Sequence, residues 1–231
     1  MNQAATVPGS DGLPRCRWCA ATPEYEAYHD REWGFPVADD QRLFEKLSLE
    51  AFQSGLSWRT ILSKRDNFRR AFDGFDFHRV ARYRDARVER LLQDAGIVRH
   101  RGKIEAVIHN AQCAIGLQRE AGSLAAYFWR YEPAPGDRPR GASESAESVA
   151  LSKDLKRRGW KFVGPTTVYA FMQAMGLVND HAEACVIAER VAAARRRFRK
   201  PAAWAADRAR RDSPLPVAQG ISPPAPRSPR R

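Results

Sequence analysis

Glu50 is the residue least well explained by packing alone. After Asp39 and Asp40, Leu43, Leu47 and Ala51 recur at helical spacing, and Glu50 continues the face of Leu43 and Leu47. A carboxylate on an apolar stripe is costly unless something pairs with it. Glu50 is therefore either half of a structural ion pair or a site residue with a cationic partner. Its neighbours Glu45 and Lys46 fall off the stripe and read as solvated. Trp18, Tyr25, Tyr28, Trp33 and Trp58 all lie close to Glu50 in sequence. Each is a core candidate, but around a buried acid they also describe a pocket in which a flat, cationic heterocycle stacks and is held by its edge. A carboxyl group at residue 50 bonded to an arginine, with no cavity before it, would remove the second reading.

Two further groups carry chemistry. His181 and Cys185 stand four apart in a segment read as helical, so both side chains face one way and can share a metal ion. Cys16 and His29 are candidates for the other two positions of a tetrahedral zinc site; Cys19, in a C-x-x-C with Cys16, competes with them. Four protein ligands leave no open position, so such an ion would be structural and would tie the two ends of the domain together. The stretch Arg158-Gly159-Trp160-Lys161-Phe162-Val163-Gly164-Pro165 is either an ordinary connection or a hairpin that offers backbone N–H groups to a phosphate. Arg99-His100-Arg101-Gly102-Lys103 is a second basic turn that opens a helix.

The elements that must position these residues are all helical. Beyond the helix from Asp39, Ser57 caps a second, Asp85 starts a third, and residues 102–121 follow with Ile104, Val107, Ile108 and Ala111. Residues 132–147 form a long Pro/Gly/Ser-rich loop. Helices are expected over 149–158, 166–175 and 181–198. No strand alternation or internal repeat is found, and the expected class is all-α. Residues 1–14 read as a disordered leader, 15–190 as one helical domain, and 191–231 as a Pro/Ala/Arg-rich tail expected to be largely disordered.

Composition narrows the function classes. The chain of 231 residues has no apolar run of membrane-spanning length and no signal-peptide profile, so a cytoplasmic protein without membrane contact is expected. Four cysteines are too few for a disulfide scaffold. The net charge of +12 is uneven: the segment from Arg190 onward carries +10 of it. That tail is either a non-specific phosphate-binding arm or a solvated extension.

Taken together, the motifs resemble the 3-methyladenine DNA glycosylase I family, within the helix-hairpin-helix glycosylases. The resemblance runs from about Arg15 to Cys185. It includes Arg15-Cys16-x-Trp18, Tyr28-His29-Asp30-x-Glu32-Trp33-Gly34, Leu49-Glu50, Gly55-Leu56-Ser57-Trp58, Gln93-Asp94-Ala95-Gly96-Ile97 with Arg99-His100-Arg101-Gly102-Lys103-Ile104, Lys161-Phe162-Val163-Gly164, and Gly176-Leu177-Val178-Asn179-Asp180-His181. So many separate blocks in one order are highly specific.

The resemblance implies a helix-hairpin-helix glycosylase-like domain with one structural zinc ion on Cys16, His29, His181 and Cys185. It implies Glu50 as the base-recognising carboxylate and Tyr28 and Trp58 as pocket aromatics, with Trp18, Tyr25 and Trp33 nearby. Gly55 and Leu56 would wedge into the gap left by an extruded base, and Lys161 and Gly164 would meet the DNA backbone. The expected partners are double-stranded alkylated DNA and, as product, free 3-methyladenine, and the protein is expected to act as a monomer. A strand-cleaving lyase would carry a nucleophilic lysine just past the hairpin, where Pro165, Thr166 and Thr167 stand instead, so none is expected. Asp180 is read either as a contributor to water activation or as structural. The alternatives are a non-catalytic zinc-stabilised DNA-binding module and a zinc hydrolase or deaminase, which would need an open metal position.

Overall fold

The structure, a computed structural model, describes residues 5–134 and 142–201. Its elements are α1 (Pro23–Arg31), α2 (Asp40–Gln53), α3 (Trp58–Ser63), α4 (Arg65–Ala71), α5 (Phe77–Val80), α6 (Asp85–Gln93), α7 (Arg101–Ala121), α8 (Leu124–Phe128), α9 (Ala146–Arg157), α10 (Pro165–Ala174) and α11 (Ile187–Arg197), preceded by a two-stranded hairpin of β1 (Thr6–Pro8) and β2 (Pro14–Cys16). The mostly helical class agrees with the sequence. Capping explains several boundaries: Asp39 accepts from the Arg42 amide, Ser57 from Thr60, and Ser145 and Ser148 bond reciprocally at the start of α9.

The centre of the molecule is α2. It packs against α3, α7, α8 and α10, and Leu43, Phe44, Leu47, Leu49 and Phe52 are fully buried around its circumference. Because partners surround it, α2 has almost no solvent face: Lys46, Ser48 and Glu50 are buried as well. This corrects the expectation that Lys46 and Glu45 are solvated. Lys46 is buried, and Glu45 is largely covered and paired with Arg69 at 2.8 Å. An apolar stripe locates a buried face only when the opposite face meets water.

α9 and α10 lie against each other, joined by residues 158–164. That joint is clamped from α7. Asn110, 2% exposed, accepts from the Lys161 amide at 2.8 Å and donates to its carbonyl at 2.9 Å; Ser152 donates to the Val163 carbonyl at 2.6 Å. At the other end of α10, Gly176 has φ +80, and a Cβ there would meet the Pro36 backbone at 2.5 Å, so only glycine allows that approach.

Two segment boundaries differ from the sequence reading. Residues 5–14 of the expected leader include β1 and the start of β2; Arg15, 6% exposed, fastens the hairpin through Asp11, 2.9 Å away, and Asp30, 2.8 Å away. Strands of three residues are too short to show alternation, so no periodic signal announces them. The expected tail boundary at 190 also falls inside an element. α11 runs to Arg197, with Val191 buried, and Phe198 packs on Trp129 at 4.4 Å between ring centroids. Arg195 pairs with Glu132 at 2.7 Å. The packed body thus reaches at least residue 198; residues 202–231, like 1–4 and 135–141, lie outside the described residues. The N-terminal hairpin meets the segment leading into α11, as the Val186 amide donates to the Pro14 carbonyl at 2.9 Å.

Candidate active site

A cavity of about 720 Å³ opens beside α2, and Trp18, Tyr25, Tyr28, Trp33, Trp58 and Glu50 all line it. Each arrives from a different local cause. Thr22 caps α1 with Pro23 at its first position, which sets Tyr25 and Tyr28 on adjoining turns. Ser57 starts α3 and so fixes Trp58. Trp18 packs edge-on against both Tyr25 (4.9 Å) and Trp33 (5.0 Å), while Tyr28 and Trp58 stand 5.4 Å apart. Glu50 is 5% exposed and presents its carboxylate among them. The Trp58 indole nitrogen is buried without a hydrogen-bond partner.

Glu50 is neutralised, but not by an arginine. Lys46, one turn earlier on α2, places Nζ 2.7 Å from Glu50 Oε1. The same ammonium donates to the Tyr28 hydroxyl at 2.9 Å and lies 3.1 Å from the centre of the Trp58 ring. Burial lowers the Lys46 pKa to about 8 against the pull of Glu50, and burial holds the Tyr28 hydroxyl well above the usual tyrosine range. Sequence reasoning missed Lys46. The available signal was its i,i+4 spacing from the carboxylate that breaks the apolar stripe. On the far wall, Asp180 lines the cavity and accepts from Gln173 Nε2 at 2.6 Å.

Three of the four metal-binding candidates converge at one edge of this cavity. Ligand atoms of Cys16, His29 and Cys185 all lie within 4.8 Å of one another, and all three residues are buried. His29 Nδ1 bonds the Asp30 carboxylate at 2.7 Å, which leaves Nε2 facing Cys185 Sγ at 3.5 Å. A carboxylate behind a histidine is how metal-binding imidazoles are oriented. The His181 ring stands 4.9 Å from that of His29. Its Nδ1 donates to Asn179 Oδ1 at 2.8 Å, so the lone pair falls on Nε2, which is buried without a partner. A buried acceptor with no donor beside two thiols and a second imidazole is the donor set zinc takes. Cys19 and His181 are both buried nearby, and both lie outside the group of three. His181 and Cys185 do not share a helix. Residues 181–186 form turns, with the Cys185 amide bonded to the Ala182 carbonyl at 2.9 Å, and α11 starts only at Ile187. A turn, not helical periodicity, sets the backbone between the two residues.

The DNA-facing candidates sit on exposed turns. Leu56 is 43% exposed beside Gly55 (φ +81). Lys161 and Phe162 are exposed on the joint between α9 and α10. Gly164 caps α10 without a side-chain bond, and a Cβ there would meet only open space. The second basic turn behaves differently: Lys103 is buried and donates to the carbonyls of Phe52 (2.8 Å) and Ser54 (2.5 Å). It braces the end of α2 beneath the Gly55–Leu56 turn and does not face outward.

The family described as methyladenine glycosylase matches residues 18–188. The chain belongs to that family. It is 46% identical over 179 residues to DNA-3-methyladenine glycosylase 1 of Escherichia coli (strain K12), covering 75% of this chain and 96% of the relative. It is 42% identical over 177 residues to DNA-3-methyladenine glycosylase of Haemophilus influenzae (strain ATCC 51907 / DSM 11121 / KW20 / Rd), covering 74% and 96%. A crystal structure of 3-methyladenine DNA glycosylase I superposes with a TM-score of 0.71 at 46% identity, over 74% of this chain and 98% of the other. The Staphylococcus aureus 3-methyladenine DNA glycosylase I studied for its recognition of 3-methyladenine gives a TM-score of 0.71 at 36% identity, over 75% and 95%. Among the described residues no helix is long and apolar enough to cross a membrane.

Proposed function

We propose that this protein hydrolyses the N-glycosidic bond of 3-methyladenine in alkylated DNA. The observation that carries the reading is a 5%-exposed carboxylate, Glu50, facing a cavity ringed by five aromatic side chains. 3-Methyladenine is cationic while bonded to its sugar and leaves as a neutral base, so its bond is already weak. The protein must extrude the base, hold it and stabilise developing charge. The base enters the cavity and stacks among Tyr28, Trp58 and their neighbours; Glu50 accepts hydrogen bonds from its edge. The sugar acquires oxocarbenium character and water completes the cleavage. Asp180 lines the same cavity and accepts from Gln173; in this reading it either helps to orient that water or serves only to hold the cavity wall.

DNA contact follows from the exposed turns. Leu56 fills the gap in the duplex, while the hairpin at Lys161 and Gly164, the joint of a helix-hairpin-helix, lies along the phosphates. Cys16, His29, His181 and Cys185 would hold one zinc ion. Bound there with four protein ligands, zinc supplies structural closure of the two chain ends. A non-catalytic DNA-binding module would have no use for an acid buried at an aromatic cavity. The deciding experiment is an excision assay on methylated DNA, with the released bases identified by chromatography. Release of 3-methyladenine is expected, and intact methylated DNA would refute the reading. No lysine stands just past the hairpin, where Pro165, Thr166 and Thr167 follow Gly164. Borohydride is therefore expected to trap no covalent protein–DNA adduct; a trapped adduct would show lyase chemistry.

A further inference from the structure

The pocket contains a buried cation that base excision, as described, does not use. Lys46 Nζ is bonded to Glu50 and Tyr28 and lies against the face of Trp58 at 3.1 Å from the ring centre. No flat base can occupy that face of the indole while the ammonium is there. A carboxylate at one side and aromatic faces around are also the contacts a positively charged purine would seek. We propose that Lys46 is a resident cation of the base pocket, standing in for a charged base against Glu50, Tyr28 and Trp58, so that residue 46 sets how strongly the pocket prefers charged bases over neutral ones. This rests on the reading of the cavity as the base pocket.

Competition follows from the geometry. A cationic base must part Lys46 from Glu50 and then sit beside a like charge. A neutral base can leave the ion pair intact. When hydrolysis turns the bound base neutral, the ammonium regains Glu50 without rivalry, which favours product release. The displaced ammonium has somewhere to go. Beside Lys46 is a void of about 30 Å³ whose charged lining is Glu32, Glu45, Arg42, Arg65 and Arg69, with Arg65 paired to Glu32 and Arg69 to Glu45, and the four-carbon stem of lysine is flexible enough to swing into it. The groups facing Lys46 are Glu50 on its own helix, Tyr28 and Glu32 from the region of α1, and Arg65 of α4; Glu32 and Arg65 are themselves paired at 2.7 Å. With its pKa lowered by burial to about 8, Lys46 changes charge within an accessible range, while Tyr28 stays neutral.

The test titrates two probes into the full chain by calorimetry at pH 7 and pH 9. One is 3,9-dimethyladeninium, a permanent cation shaped like the lesion base on its sugar; the other is neutral 3-methyladenine. If the cation binds only when the ammonium is gone, its affinity for the wild type rises about ten-fold between the two pH values, following the fraction of uncharged lysine. Lys46→Met is expected to bind the cation about ten-fold more tightly than wild type at pH 7 and to lose the pH dependence, with neutral base much less affected. Lys46→Arg keeps the charge at both pH values and should hold cation affinity low throughout, so its contrast with wild type at pH 9 still decides the matter should the methionine variant fold poorly. Equal cation affinity at both pH values in wild type, or equal gains for both probes in Lys46→Met, would overturn the proposal. Failure of both probes to bind any variant would instead remove the base-pocket reading beneath it.

Discussion

A carboxylate buried against an ammonium yet open to a cavity is a poor structural ion pair and a good recognition device. Its worth as a stabilising pair is small against the desolvation of two charges. Its field, undiluted by water, acts on whatever enters. Glu50→Gln keeps the shape and can still accept from Lys46, so the fold should survive while kcat/KM for excision falls by about a hundred-fold or more. Near-normal excision with an unchanged melting profile would take Glu50 out of the reaction. Trp58→Ala removes the face that a charged base takes once Lys46 no longer covers it, and should weaken 3,9-dimethyladeninium at pH 9 by about 1–3 kcal/mol, measured by calorimetry; unchanged affinity would make Trp58 a core residue only. At this scale the sequence was half legible. Glu50 broke an apolar stripe and could be noticed. Lys46 lay off that stripe, and only the packing of four helices around α2 shows that off the stripe is still inside.

At the scale of elements, the hairpin between α9 and α10 owes its shape to groups outside it. Phe162 sits at φ +56, a conformation a bulky residue does not hold unaided, and Asn110 bonds both the N–H and the C=O of the preceding Lys161. Asn110→Ala should cost about 1–3 kcal/mol of stability. It should also lower affinity for duplex DNA while leaving free-base binding intact, because the cavity lies elsewhere. Gel-shift and calorimetric titrations separate the two effects, and equal loss in both would show general unfolding instead. That two helices are joined here was readable from the two glycines and the helix that follows. The segment carrying His181 and Cys185 was readable in its residues but not its form. A His-x-x-x-Cys spacing suits a helix, yet Asn179 and the Ala182–Cys185 turn set the backbone there, and such local bonds leave no periodic trace.

For the whole molecule, the donor cluster is where the N-terminal and C-terminal ends are joined, and it also forms part of the cavity wall: Thr6, Cys16, His181 and Ala182 all line the pocket. Stability and binding are therefore coupled. Cys185→Ala should abolish stoichiometric zinc by mass spectrometry and lower Tm by on the order of 10 °C, a loss of several kcal/mol, with weaker free-base binding alongside. Full zinc content and unchanged Tm would exclude Cys185 as a ligand. The all-helical class and the main helices were legible because their caps and periodicities are local. The N-terminal hairpin and the extension of the body past residue 190 were not, since both depend on partners far along the chain, Asp30 for Arg15 and Trp129 for Phe198.

The bond between the Val186 amide and the Pro14 carbonyl pins the N-terminal hairpin to the segment that leads into α11. Both pieces run on past that bond, the hairpin back to Thr6 and the helix out to Arg197. Each is therefore a support for the other, and trimming the hairpin should unsettle the start of α11 as well.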